Sequence, residues 1–244
     1  MEVYWLEQTE AHLPTVDDWL SANEQALLNA MRFAKRRSDW RLGRWTAKNA
    51  LAMYFLCLKL PADPQVLASI EIRSAARGAP EAYLGNQPAA ATISLSHRAG
   101  IAACAVTTPC VELGCDLEMV EPRSDAFVAD YFTTAEQSFI AQASVADRPR
   151  LLAMLWSAKE STLKALHEGL RLDTRSVIVS PGDAVFDLHG WSPMQVNYVD
   201  RQTFCGWWQH GDGIVRTVVA APPPNPPIRL HFPNYVPDAV SLCA

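Results

Sequence analysis

An amphipathic segment at residues 150–167 sets the first requirement for the fold. At roughly 100° per residue, its apolar side chains fall on one side of an α-helix, which must pack against another layer. These residues are Leu152, Leu155, Trp156, Leu163 and Leu166. Lys159 projects into the middle of this stripe, where a charge is costly unless an anion or a hydrogen-bond acceptor meets it.

Glu160 and Lys164 are four residues apart on the border of the same stripe. Taken alone, they predict a surface ion pair contributing about 0.3 to 0.5 kcal/mol. The position of Lys159 favours the alternative that this helix meets an anionic ligand.

Strand and helix patterns recur in the same order along two stretches of the chain. The first stretch predicts a strand at 1–6, helices at 16–30 and 32–58, and strands at 70–73, 91–95 and 100–107. The second predicts a strand at 111–118, helices at 134–143 and 150–167, and strands at 176–179, 195–199, 204–209 and 215–220. We therefore expect an α+β fold with two similar halves, residues 1–109 and 110–222. A Pro-rich tail, 223–244, is expected to lie on the surface or to lack fixed structure.

Composition limits the functional class. The 244 residues are 49% hydrophobic and 19% charged, which is ordinary for a globular protein. The net charge of -5 argues against wholesale nucleic-acid binding. No segment reaches the roughly 18 apolar residues of a membrane span, and the N-terminus lacks the pattern of a secretory signal. We expect a cytoplasmic protein that binds neither membrane nor nucleic acid. The cysteine and histidine spacings predict neither a zinc site nor a disulfide framework.

The strand at 111–118 carries two carboxylates on one face. Alternation places Asp116 and Glu118 on the same side, where like charges repel unless the face is solvated or a hard divalent cation lies between them. Glu160 would add a third carboxylate if its helix packs over this strand. Oxygen ligands alone favour magnesium over zinc. Gly114 leaves room for a close approach to the strand backbone.

Basic residues of the first half are candidates for binding an anion. A stripe on the long helix spans about 60° and consists of Arg37, Arg41, Arg44 and Lys48. A solvated face and a ligand site explain this stripe equally well. Arg77, ahead of the predicted turn at Gly78, is able to reach a phosphate through forked hydrogen bonds.

A polar corner is predicted at residues 96–98, between two strands. Ser96, His97 and backbone amides are able to converge there on an anion. The chain contains no G-x-S-x-G, G-x-x-x-x-G-K-(S/T) or G-x-G-x-x-G motif. A phosphate site in this chain must therefore be built from side chains.

These motifs resemble those of the Sfp-type 4'-phosphopantetheinyl transferases. The family's G-(I/V)-D-(I/V)-E strand corresponds to residues 114–118, and its W-x-x-K-E-x-x-x-K helix to residues 156–164. Its N-x-S-H segment corresponds to 94–97, and its F-(S/T)-x-x-E segment to 132–136. The G-R element corresponds to Gly43 and Arg44. Two departures are Ser94 in place of the asparagine and Ala79 in place of the lysine of the G-K-P turn.

The resemblance implies transfer of the phosphopantetheine arm from coenzyme A to a serine of an apo acyl or peptidyl carrier protein, releasing adenosine 3',5'-bisphosphate. It implies a monomer whose halves are related by a pseudo-twofold axis, with coenzyme A in the cleft between them. It also implies that Asp116, Glu118 and Glu160 hold Mg²⁺.

The remaining roles also follow from the resemblance. Lys164 would neutralise the leaving phosphate. Contacts to coenzyme A would come from Arg44, Arg77, Ser96, His97, Lys159 and Lys164. The base that accepts the carrier serine's proton would be Glu160 or, as a second choice, Glu136.

Two other functions remain open. A Mg²⁺-dependent phosphohydrolase would use the same carboxylates without any carrier protein. The second alternative is a protein that binds coenzyme A or a carrier but no longer catalyses transfer. The presence of Asp116, Glu118, Glu160 and Lys164 argues against this alternative.

Overall fold

A computed structural model describes residues 1–57, 67–181, 190–199 and 202–231. Within these ranges the protein has a mixed fold with three sheets and five α-helices, which confirms the predicted α+β class. The end of the predicted 32–58 helix falls just outside the described residues. No helix in the described ranges combines the length and apolarity needed to cross a membrane.

The first half is a sheet covered by one long helix. Its elements are β1 (Tyr4–Thr9), α1 (Ala22–Ala30), α2 (Ala34–Cys57), β2 (Ile70–Ser74), β3 (Pro80–Leu84), β4 (Gln87–Pro88), β5 (Thr92–Arg98) and β6 (Ile101–Thr107). β6 pairs antiparallel with both β1 and β5. The core on this side includes Leu51 and Tyr54 of α2 with Ile93, Cys104 and Val106 of the sheet. The strands β2, β3 and β4 form a separate small sheet.

The second half contains a five-stranded sheet. Its elements are β7 (Glu112–Met119), α3 (Asp125–Tyr131), α4 (Thr134–Gln142), α5 (Arg148–Ala165), β8 (Val177–Pro181), β9 (Ser192–Tyr198), β10 (Thr203–Gly211) and β11 (Ile214–Ala221). The antiparallel order is β7-β11-β10-β9-β8. The amphipathic segment is α5, whose apolar face packs into a core with Val196, Phe204 and Val219.

Gly114 permits the contact between β7 and α5. A Cβ atom at this position would collide with the carbonyl oxygen of Ser161 in α5. The room that the sequence predicted beside β7 is therefore filled by the backbone of the helix. This close approach brings the polar border of α5 over the carboxylates of β7.

The two halves are joined by a third apolar cluster and by ion pairing. Trp5 and Trp191 pack edge to face there, with ring centroids 5.8 Å apart. The guanidinium of Arg216 on β11 bonds both carboxylate oxygens of Glu7 on β1, at 2.6 and 2.7 Å. Since both side chains are largely buried, the two sheets are held in a defined relation.

The start of the C-terminal tail differs from the expectation. Residues 228–229 form β12 (Ile228–Arg229), which pairs parallel with β1. Leu230 is 7% exposed and belongs to the first-half core. The described part of the tail is thus an edge strand with a buried anchor, whereas residues 232–244 lie outside the described ranges.

The predicted polar corner at 96–98 is also placed differently. β5 continues through Arg98, and the turn lies at Ala99 and Gly100, both with positive φ. Ser94 and Ser96 therefore lie on the same side of a strand, and His97 lies on the other. The helix α3 and the strands β3 and β4 were not predicted.

Candidate active site

Asp116 and Lys164 form the centre of the site. The Lys164 ammonium lies 2.8 Å from Asp116 Oδ1 and donates to the Cys115 carbonyl at 3.0 Å. Ser96 Oγ donates to the same carboxylate oxygen at 2.8 Å. Asp116 is only 6% exposed, so two donors from different elements hold its carboxylate in a water-poor setting.

The three carboxylates predicted as metal ligands interact electrostatically. Burial raises the pKa of Glu160, and the charges of Asp116 and Glu118 raise it further against the opposing effect of Lys164. Burial likewise raises the pKa of Glu118, with Arg98 opposing and Asp116 adding to the increase. Glu160 and Glu118 thus both lie close enough to Asp116 for its charge to disfavour their charged forms.

Two arginines that the sequence did not identify compensate Glu118. Its carboxylate lies 2.5 Å from Arg123 and 3.3 Å from Arg98. Both guanidinium groups also contact Glu121 at 3.1 Å. Within the described residues, no cluster of three or more His, Cys, Asp or Glu side chains is arranged as a metal-binding group. The chemistry of the donor set nevertheless fits a hard cation, because three carboxylates offer oxygen ligands and the raised pKa values of Glu118 and Glu160 show that these two gain from added positive charge.

Lys159 does not face a ligand site. Its ammonium is fully buried, lies 2.9 Å from Glu136 Oε2, and donates to the carbonyls of Thr174 and Val177 at 2.9 and 2.5 Å. Burial lowers its pKa, and Glu136 opposes that change. Every observed partner of the Lys159 ammonium lies inside the protein, which does not favour the predicted contact with coenzyme A.

Glu136 has a structural role in the same place. Its Oε1 accepts the Val179 N–H at 3.1 Å, and its Oε2 accepts the Thr133 N–H at 2.9 Å as part of the cap that begins α4. At 4% exposure, with both oxygens engaged, Glu136 is unsuited to accept a proton from a substrate. These bonds therefore do not favour Glu136 as the second candidate base.

A cavity of about 730 Å³ opens beside Lys164 and is lined by residues of both halves. Four of the predicted coenzyme A contacts line it together with Lys164: Arg44, Arg77, Ser96 and His97. Further cationic and aromatic side chains in its wall were not predicted as site residues: Phe33, Lys35, Arg36, Trp40 and His167. Lys35, Arg36 and Trp40 lie close together in the first turns of α2, which was the available signal for this wall.

The basic stripe of α2 is mostly neutralised inside the protein. Arg41 donates to Asp17 at 2.8 Å, and Arg37 donates to the Leu28 carbonyl. Lys48 lies 2.5 Å from Glu24. These partners explain three of the four charges without a ligand.

Arg44 is the member of the stripe that lines the cavity. Its guanidinium stacks 4.7 Å above the Trp40 ring. Its Nε is buried without a hydrogen-bond partner, and the nearest carboxylate oxygen, on Glu24, lies 3.9 Å away. Burial lowers the pKa of Arg44, with Glu24 opposing. An unpaired buried donor at the cavity wall is suited to an anionic ligand.

The other cavity cations are less restrained. Arg77 forms an exposed ion pair with Glu168. This pair connects a loop of the first half to the segment that follows α5. Desolvation lowers the pKa of His97, the charge of Asp39 raises it, and Lys164 lowers it. His97 is therefore expected to bind an anion mainly as a hydrogen-bond donor.

Comparison with known families gives a match in the second half. Residues 112–221 match the model of the 4'-phosphopantetheinyl transferase superfamily. The matched region contains Asp116, Glu118, Glu160 and Lys164, whereas the cavity residues of the first half precede it.

A solved structure also matches part of the chain. Helicobacter pylori holo-acyl-carrier-protein synthase in complex with coenzyme A is 18% identical, with a TM-score of 0.33. The alignment covers 43% of this chain and 98% of that chain. No curated protein matches the chain. The similarity to the 4'-phosphopantetheinyl transferase superfamily therefore rests on the match over residues 112–221.

Proposed function

We propose that this protein transfers the 4'-phosphopantetheine group of coenzyme A to a serine of an apo acyl or peptidyl carrier protein, as an Sfp-type monomer. The observation that carries this proposal is the meeting of Glu160, Lys164 and Asp116 beside a cation-lined cavity, within the region that matches the superfamily. The halves 1–109 and 110–222 would be related by a pseudo-twofold axis, with coenzyme A between them.

Asp116, Glu118 and Glu160 would hold Mg²⁺. When bound, the ion would neutralise the diphosphate at which the transferred group is cleaved. The raised pKa values of Glu118 and Glu160 support this assignment, since a cation relieves the repulsion among the carboxylates.

Lys164 is suited to stabilise the departing phosphate. Burial alone would lower the pKa of its ammonium, but Asp116, Cys115 and Glu160 raise it above the ordinary value. The side chain therefore stays protonated, and its bonds to β7 fix the ammonium at the cavity wall. Catalysis of phosphoryl transfer relies mainly on such positioned charges, which stabilise the transition state.

Glu160 is the proposed base for the carrier serine. The raised pKa of its carboxyl increases its affinity for a proton, and neighbouring Lys164 limits that increase. Glu136, the second choice from the sequence, is engaged elsewhere.

The cavity cations would bind the phosphates of coenzyme A. Arg44 offers the unpaired Nε, while Arg77 and His97 line other parts of the same wall. Ala79 also lines the cavity, so the absent lysine of the family's turn leaves Arg77 as the nearest cation in that loop.

Mass spectrometry of a carrier protein tests the proposal. The protein is incubated with coenzyme A, Mg²⁺ and several apo carriers, and each carrier should gain the mass of one phosphopantetheine group at its serine. A chelated sample and Glu160→Gln are the controls that should show no gain. Failure with every carrier contradicts transfer, and loss of coenzyme A without a carrier would indicate a phosphohydrolase instead.

A further inference from the structure

β7 lies at the edge of the five-stranded sheet, and its outer edge faces β5 of the first half. Backbone N–H groups on such an edge need partners when they are buried. The Cys115 N–H donates to Ser94 Oγ at 2.9 Å, and the Leu117 N–H donates to Ser96 Oγ at 3.2 Å. Two serines at alternate positions of β5 thus take the place of a neighbouring strand.

Ser96 makes one bond that Ser94 does not. Its hydroxyl hydrogen goes to Asp116 Oδ1 while its lone pair accepts the Leu117 N–H. A serine hydroxyl has a single hydrogen, so the donor of Ser96 is already used. This geometry leaves Ser96 little capacity to donate to a phosphate of coenzyme A, the role that the family resemblance implied.

The bonds to Asp116 are asymmetric. Ser96 and Lys164 both donate to Oδ1, and no donor from the described residues bonds Oδ2. Two donors from different elements prevent rotation of the carboxylate. The remaining oxygen is thereby held in one orientation at the face shared with Glu118 and Glu160.

We propose that Ser96 is a positioning residue, which orients the Asp116 carboxylate for its role in the metal site and couples that orientation to the junction between β5 and β7. This inference rests on the proposed function for its catalytic consequence. Its effect on metal binding is independent of any carrier protein. Misplacement of a reacting group by about 1 Å costs on the order of 10²-fold in rate, so loss of the bond should lower kcat.

Ser94→Ala is the matched control for Ser96→Ala. Each change removes one hydroxyl acceptor for a β7 N–H, so both variants should melt at lowered temperatures, with a larger decrease for Ser96→Ala because it also removes a donor to Asp116. Only Ser96→Ala should weaken binding of Mn²⁺ to the coenzyme A-free protein, by about tenfold, as expected for a residue that orients a metal ligand. Titration calorimetry measures this affinity without turnover.

Kinetics of carrier loading provide the second readout. Ser96→Ala should lower kcat by about 10 to 100-fold with the KM for coenzyme A within about twofold of the parent. Ser96→Thr, which keeps the hydroxyl, should recover most of the loss. If Ser96→Ala does not fold, Ser96→Cys replaces it, since the thiol fills similar space as a weaker donor.

Two results would overturn the inference. One is equal Mn²⁺ affinity in the two alanine variants, and the other is a raised KM for coenzyme A at unchanged kcat, which would make Ser96 a substrate contact. If the parent protein loads no carrier, the proposed function fails, whereas the Mn²⁺ comparison still decides the role of Ser96.

Discussion

The two halves of the molecule contain the same buried ion pair but only one of them carries the carboxylate site. In the second half Lys159 pairs with Glu136, and in the first half Lys48 pairs with Glu24. All four side chains are at most 4% exposed. The recurrence shows that this ion pair belongs to the architecture of each half.

The two buried glutamates make corresponding bonds to a helix cap and to a strand. Glu24 forms a capping box with Ser21 at the start of α1 and accepts the Ile72 N–H of β2 at 3.1 Å. Glu136 forms a capping box with Thr133 at the start of α4 and accepts the Val179 N–H of β8. Each pair therefore ties together a short helix, the long helix and the next strand.

The long helices differ beyond the shared lysine. Residues 45–48 read Trp-Thr-Ala-Lys and residues 156–159 read Trp-Ser-Ala-Lys, but Asn49 and Met53 stand where the second half has Glu160 and Lys164. The long helices thus differ at the two positions that, in the second half, join the carboxylates of β7 in the candidate site. The lysine common to both helices serves the fold.

Removing either buried lysine should produce the largest effect on folding. Lys48→Met and Lys159→Met each leave a buried carboxylate without its counter-charge, which costs about 3 to 5 kcal/mol. Urea unfolding should show similar losses for both variants, and the double variant Glu136→Gln/Lys159→Met should recover much of the loss. A large loss in one half only would contradict their equivalence.

Giving the second-half helix a first-half residue should remove activity without unfolding the protein. Glu160→Asn copies Asn49, and Glu160→Gln is the nearly isosteric alternative. Carrier loading should fall by at least about 10³-fold in both, since a metal ligand and the proposed base are lost. Circular dichroism should be unchanged. A variant that keeps substantial activity would remove Glu160 from both roles.

The close packing of β7 on α5 predicts a sharp difference between two glycines. Gly114→Ala forces a methyl group into the Ser161 carbonyl and should cost about 3 kcal/mol or more. Gly43→Ala in α2 meets no atom within 4 Å and should stabilise the helix by up to about 1 kcal/mol. Thermal unfolding of both variants measures the contrast, and a neutral Gly114→Ala would mean that the two backbones separate easily.

The smallest effect should be a pH dependence of the metal-free protein. Because Glu160 and Glu118 have raised pKa values when folded, the folded state binds more protons than the unfolded state just above the ordinary glutamate range. The free energy of unfolding should therefore fall as pH rises through the raised pKa values. Glu160→Gln should reduce this slope in urea titrations, while an unchanged slope would place its origin elsewhere.

The site carboxylates were predictable because they follow from local periodicity. Alternation along β7 places Asp116 beside Glu118, and helical spacing places Glu160 beside Lys164. Their meeting required only that an amphipathic helix pack on a sheet. The strand order and the close approach at Gly114 depend on tertiary contacts that periodicity does not encode.

The two buried ion pairs were not predicted, because the partners in each pair are distant in sequence. Lys159 indeed needed an acceptor, but that acceptor lies 23 residues upstream in the cap of another helix. The repeated Trp-x-Ala-Lys segment was the signal that would have shown a structural role. Ser96 was misplaced because its polar neighbours suggested a corner, whereas the turn needed positive φ at Ala99 and Gly100.

The strand β12 has a consequence for dividing the chain into fragments. Ile228 and Leu230 donate N–H groups to the carbonyls of Val3 and Trp5, and the Met1 amine donates to the Pro223 carbonyl. The first-half sheet is thus formed from segments that are distant in sequence. Its edge contains β1, near the start of the chain, and β12, near the end of the described residues. A fragment that ends at residue 222 would leave β1 as an uncovered edge and remove Leu230 from the core, which favours aggregation.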